Sequence, residues 1–195
     1  MKKYSLLITM LFLCSCSAMG TNVINNRYSA IGKPTIDVSK NLKYVGALDA
    51  KGYVHYDRMF ASGGSKVDSY IFANDGDFLE EAIIIQVNKL TKTNFVWQPM
   101  NGKNFKKDEV EFIRNVMSAS SLENDPYVNI YMKFLDEKGY SYGKSYCVVA
   151  YQKLLSSNIR FSVYYVIDYE LLSNNTEVAQ KEALDRSLNI FHTRH

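Results

Sequence analysis

Three histidines, one cysteine deep in the chain and a few pairs of carboxylates are the side chains whose types could do chemistry. His55 stands beside Tyr56 and Asp57 in an alternating run. On a strand, successive side chains point to opposite faces, so Asp57 cannot orient the imidazole as a catalytic triad requires. His192 and His195 are three apart, a spacing that holds a metal when it falls on a helix, but they have no cysteine beside them and no acid nearer than Asp185. Asp75 and Asp77 in NDGDFLEE are placed as in a calcium loop, without its alternating ligands or its closing twelfth-position glutamate. Asp168 and Glu170 share a strand face and could serve as acid and base, although pairing with neighbours on the Arg160 side explains them as well. SGGSK, Ser62 to Lys66, lies between strands and lacks the spacing that cradles phosphates. No G-x-S-x-G, HExxH or Walker sequence occurs. The residues therefore define no catalytic set, no metal site and no cofactor. The enzymatic alternative is a periplasmic hydrolase using His55 and a carboxylate.

The other two cysteines sit together in Leu13-Cys14-Ser15-Cys16. Lys2 and Lys3 form a charged start, Ser5 to Leu13 an apolar run, and small residues follow, which is the plan of a secretory signal. The apolar run is roughly half of the ~20 residues a spanning helix needs, so a removed leader is expected. Leu13 three places before Cys16, with the small Ser15 directly before it, resembles a bacterial lipobox. The resemblance implies a diacylglyceryl group on the Cys16 thiol, cleavage before that residue, and an anchor of three acyl chains. Each buried methylene of such an anchor contributes about 0.8 kcal/mol. Ser17 rather than Asp after the modified residue implies, by the same resemblance, an outer-membrane lipoprotein facing the periplasm. Ordinary signal cleavage after Ala18 is the competing reading. The expected organisation is a signal peptide at 1–15, the lipidated cysteine and a flexible tether at 16–35, and one globular domain at 36–195. The chain as a whole resembles small bacterial lipoproteins whose domain has no assigned function and which share this length and an isolated tryptophan. That resemblance implies no catalytic residues.

Losing Lys2 and Lys3 with the leader lowers the formal charge from +3 to +1, so the sequence pI of about 8.6 partly reflects residues the mature chain would lack. No clustered basic face of the kind nucleic acid requires is present, and no nucleic-acid partner is expected. After processing, Cys147 would be the one cysteine besides the anchor, which excludes an internal disulfide. Within SYCVVAY it reads as a small buried hydrophobe.

Hydrophobic periodicity supplies the elements that would position these groups. LKYVGAL, a DAKG turn and YVHYDRMF read as two strands, SGGS as the next turn, VDSYIFA as a third strand and NDGD as another turn. FLEEAIIIQVNKL reads as a strand buried on both faces from Ala82 to Val87, with a short helix at Phe78 to Glu81 leading into it. NFVWQPM reads as a short strand around Trp97. In KKDEVEFIRNVMSASS, Val110, Ile113, Val116 and Met117 fall at helical spacing behind Asp108, Glu109 and Glu111, which predicts a helix. YVNIYMKFL, a DEKG turn and a long tyrosine-rich strand from Tyr140 to Leu155 predict a hairpin. RFSVYYVIDYELL alternates, with Phe161, Val163, Tyr165, Ile167 and Tyr169 opposite Arg160, Ser162, Tyr164, Val166 and Asp168. A last helix begins at the capping residues Asn175 and Thr176 and turns Ala183, Leu184, Leu188 and Phe191 to the sheet.

Strands, a helix, more strands and a terminal helix define an α+β domain: a largely antiparallel sheet with one or two helices packed on one face. The functional expectation is a lipid-anchored envelope protein that binds or assembles rather than catalyses, presenting a sheet face or edge to an envelope protein or a glycan. Trp97, Tyr140, Tyr142, Tyr146 and Tyr164 are the expected contact residues, because each joins an aromatic ring to a polar group.

Overall fold

The computed structural model describes residues 22–56, 61–91, 96–97, 101–120 and 126–194, and the side chains among them outside 50–63 and 118–129. Its strands are β1 (Val23–Ile24), β2 (Arg27–Tyr28), β3 (Thr35–Val38), β4 (Leu42–Tyr56), β5 (Ala61–Asn74), β6 (Phe78–Leu79), β7 (Glu81–Leu90), β8 (Lys103–Lys107), β9 (Val110–Ser120), β10 (Ser141–Tyr142), β11 (Ser145–Ser156), β12 (Ile159–Asp168) and β13 (Phe191–Arg194). Helix α1 spans Pro126–Glu137 and α2 spans Thr176–Ile190. Seven strands form one sheet in the order β4-β5-β7-β12-β11-β9-β8. Every neighbouring pair in it is antiparallel. The protein is thus an α+β domain built on an antiparallel sheet, as the strand periodicity predicts. A smaller sheet, β1-β2-β3-β13, and a two-residue parallel pairing of β10 with β6 complete it.

Period-two alternation decides what each face of the large sheet carries. Ile83, Ile85, Cys147, Val149, Tyr151, Phe161, Val163, Tyr165 and Ile167 point one way and are buried with Ala179 and Ala183 of α2 and with Tyr28 and Ile36 of the small sheet. Burying each of the larger apolar side chains contributes about 1.5–3 kcal/mol. The opposite parity, Ile71, Ala73, Ala82, Ile84, Tyr146 and Val166, packs against Tyr131, Phe134 and Leu135 of α1. The two helices therefore lie on opposite faces rather than sharing one. A β-bulge between Tyr44 and Gly46 interrupts β4 where it passes Phe134 of α1. Gly46 has φ +152°, and a Cβ there would stand 3.1 Å from the tip of the Phe134 ring.

Several local expectations are corrected. DAKG makes no turn: β4 runs through it, because Lys51, Gly52 and Tyr53 pair with Lys66, Ser65 and Gly64 of β5, so SGGS is strand as well. Phe78 to Glu81 holds the short strand β6 instead of a helix. The predicted helix over KKDEVEFIRNVMSASS is the hairpin β8–β9, closed by Asp108–Glu109 with Asp108 at φ +51°. Its β-branched and aromatic residues favour a pleated surface, and Val110 and Phe112 are buried by alternation. The predicted strand YVNIYMKFL is α1, with Pro126 at its first position and Gly139, φ +87°, beyond its end. Val96 and Trp97 are irregular rather than strand. Residues 22–35 carry β1 and β2 instead of an extended tether, since Val23 and Tyr28 have an apolar surface to bury against. Cys14 and Cys16 lie outside the described residues.

Candidate functional site

The chemically plausible groups whose side chains are described are tied into local structure. Asp168 is buried, and its Oδ1 accepts from the Glu170 backbone N–H at 3.0 Å, opening a 3-10 turn over Tyr169–Leu171. Glu170 therefore sits on that turn and shares no strand face with Asp168. Asp75 pairs with Lys43 at 2.6 Å across an exposed turn. His192 lies on β13 with its Nδ1 3.6 Å from the Asp108 carboxylate, exposed to solvent; His195 lies outside the described residues. His55 falls in β4, with its side chain outside the described part. Cys147 is fully buried, and burial pushes its thiol pKa up, the reverse of what a nucleophile needs. Among the described residues no three His, Cys, Asp or Glu side chains cluster as metal ligands.

The five expected contact residues divide into two groups. Tyr140, Tyr142 and Tyr146 gather where β10 and β11 meet the turn at Asn74 to Asp77. Tyr146 is buried, donates from its hydroxyl to the Leu79 carbonyl at 3.1 Å and accepts from the Gly143 N–H at 2.8 Å. Burial raises its pKa to about 12. Its ring fills the core, so it is corrected from a contact residue to a structural one. Tyr140 is half-buried and donates to the Asn74 carbonyl at 3.0 Å. Tyr142 remains exposed beside it.

Tyr164 and Trp97 belong to a different place, the α1 face of the large sheet. Strand register lays a polar row across the middle of that face: Ser69 of β5, Gln86 of β7, Ser162 of β12 and Gln152 of β11 are direct cross-strand neighbours. Side chains of facing residues in such a row stand ~5 Å apart. On one side of the row, α1 contributes Tyr131, whose hydroxyl lies 2.7 Å from Ser69 Oγ and accepts from Gln86 Nε2 at 2.5 Å. Burial raises the Tyr131 pKa, so the phenol stays neutral and able to donate. Tyr164 lies on the same side and accepts from Gln152 Nε2 at 3.1 Å. On the other side of the row, Arg160 places its guanidinium carbon 4.0 Å from the centre of the Trp97 ring. Trp97 is held there by its backbone N–H, which donates to the Ser157 carbonyl at the β11–β12 turn.

Hydrogen-bond accounting separates this face from the rest of the sheet. Ser162 is completely buried, yet its Oγ has no partner, and the buried Nε of Arg160 and Nε1 of Trp97 have none either. No described carboxylate pairs with Arg160. A buried, unpartnered polar group costs about 1–3 kcal/mol, so three in one neighbourhood mark a place set up for something polar. A groove of about 550 Å³ lies beside it across β8, β9 and β11, lined by Gln152 and Leu154 and by the charged Lys106, Glu111 and Lys153. Gln152 joins groove and row, and Leu154 is the cross-strand neighbour of Arg160.

Alternation in RFSVYYVIDYELL does set Arg160, Ser162 and Tyr164 on one face, but it shows neither the partners they lack nor the row from three other strands. Tyr131 escapes because its segment reads as a strand. Comparison with protein-family models, with curated proteins and with solved structures gives no match to this chain.

Proposed function

We propose that this protein is a non-catalytic binding module of a bacterial cell envelope, held at the outer membrane by a lipid on Cys16, and that it presents the α1 face of its sheet to a glycan. The observation that carries the binding part is the polar row flanked by Trp97 and Tyr164, with buried donors left without partners. Amide and hydroxyl groups interleaved with aromatic rings suit a hydroxyl-rich ligand better than the apolar core of a protein interface. The anchor rests on the Leu13 to Cys16 pattern, and the short chain between Cys16 and β1 would keep the domain within a few nanometres of the bilayer at ~3.5 Å per residue.

Capture of soluble envelope-glycan fragments by the purified protein tests the reading, with Trp97→Ala and Tyr164→Ala as variants. The expected result is retention by the parent chain and loss of at least ten-fold in affinity in each variant, at unchanged circular dichroism. Capture that survives both replacements in folded protein removes this face from binding. Capture of an envelope protein in place of glycan would overturn the ligand class.

A further inference from the structure

Resting on that reading of the face, the geometry points to the class of ligand: we infer that the α1 face holds the carboxylate of an acidic saccharide, with Arg160, Trp97 and Ser162 as its donors. Two of the three unpartnered atoms, Arg160 Nε and Trp97 Nε1, can only donate, and the third, Ser162 Oγ, can donate. Donors without acceptors call for an acceptor-rich group, and a carboxylate accepts from several N–H and O–H groups at once.

Charge supports the same class. Arg160 is the cation at the unpartnered donors, while the adjoining groove carries Lys153 and a Lys106–Glu111 pair that face each other across β8 and β9. Lys89, the lysine nearest to Arg160 on β7, alternates onto the other face, where it pairs with Ile159 and Lys66. At the donors themselves, one positive charge matches a singly charged carboxylate better than a phosphate, which carries closer to two. The planar guanidinium offers the paired donors that carboxylates accept in parallel. Stacking on Trp97 at 4.0 Å fixes the plane of that fork before any ligand arrives. The remaining hydroxyls of a sugar ring would meet Gln152, which lines the groove, and Tyr164, whose hydroxyl accepts from Gln152 at 3.1 Å.

Trp97 is the one tryptophan of the chain, so its indole N–H gives a single, assigned reporter. The test is a titration of the purified protein with glucuronate, glucose and acetate, followed through the indole ¹H–¹⁵N signal. A saturable shift with glucuronate is expected, at least ten-fold weaker for glucose and for acetate. Arg160→Gln should abolish it and Ser162→Ala should weaken it several-fold. Arg160→Lys keeps the charge without the planar fork and should also weaken binding, which covers the case in which Arg160→Gln fails to fold. Equal affinity for glucose and glucuronate overturns the carboxylate, while leaving a saccharide-binding face in place. Equal affinity for acetate and glucuronate overturns the saccharide. An indole signal that moves with none of the three overturns the site, and glycan capture lost in Trp97→Ala would then still uphold the binding face itself.

Discussion

At the scale of single residues, this fold is exacting where backbone approaches a buried carboxylate. A Cβ on Gly143 would stand 2.5 Å from Asp168 Oδ2, and the Gly143 N–H is already committed to the Tyr146 hydroxyl. Neither the buried Asp168 nor the buried Tyr146 has room to retreat. Gly143→Ala is therefore expected to lower the unfolding free energy by about 1–3 kcal/mol, measured by denaturant titration. Unchanged stability would mean that the Asp168 turn is looser than it stands. Of the residues that sequence marks as aromatic contacts, Tyr146 is spent on this junction, whereas Trp97 keeps its indole N–H unpartnered. Residue type alone does not separate the two, because a half-polar ring serves a core and a binding surface equally well.

Among the elements, the outcome turns on which surface a segment finds. The alternating β11 and β12 and the capped α2 are legible in sequence. For α2, the Asn175 side chain accepts from the backbone N–H groups of Glu177 and Val178, as a capping residue should. The β8–β9 hairpin and α1 are misread in opposite directions. Val110, Ile113, Val116 and Met117 meet a helical period by coincidence, since apolar residues occur at both parities on β9, which has one flank on the α2 face and one on the α1 face. The α1 segment is rich in β-branched and aromatic residues because it packs on a sheet, and burial overrides propensity. Lys107 ties the misread hairpin down. Its ammonium is buried, donates to the Leu188 carbonyl near the end of α2 and lies 5.4 Å from the centre of the Phe191 ring. Burial lowers its pKa. Lys107→Met should destabilise the domain by about 1–3 kcal/mol, because it removes a charged donor and leaves a carbonyl unsatisfied. A melting temperature equal to that of the parent chain would contradict this link between β8 and α2.

For the whole molecule, tyrosine burial sets the alkaline limit. Burial raises the pKa of Tyr28, Tyr165 and Tyr146 above the ordinary value of 10, Tyr146 to about 12, with the Glu81 carboxylate adding to the effect at Tyr165. The unfolded chain loses these protons near pH 10 while the folded chain keeps them. Their contribution to stability is thus complete below pH 10 and, for Tyr146, is lost as pH rises from 10 through about 12. The melting temperature should fall steeply over that range, with phenolate absorbance appearing together with unfolding. Phenolate absorbance that rises near pH 10 in folded protein would contradict the burial. Fold class and sheet character are legible from strand periodicity at this scale, but the long-range pairings of the sheet are not. Neither the crossover from β7 to the far-edge strand β8 nor the meeting of β7 with β12 leaves a local signal, and the polar row exists because of them.

The proposed display of a glycan-binding face from a membrane rests on Cys16. The mass of the N-terminal peptide of the mature protein, with membrane fractionation of the parent and Cys16→Ala chains, tests it directly. A peptide beginning at Cys16 and carrying diacylglycerol and a further acyl chain, with the Cys16→Ala chain released or unprocessed, is the predicted result. An unmodified N-terminus at Met19 on a protein found outside the membrane fraction would contradict it.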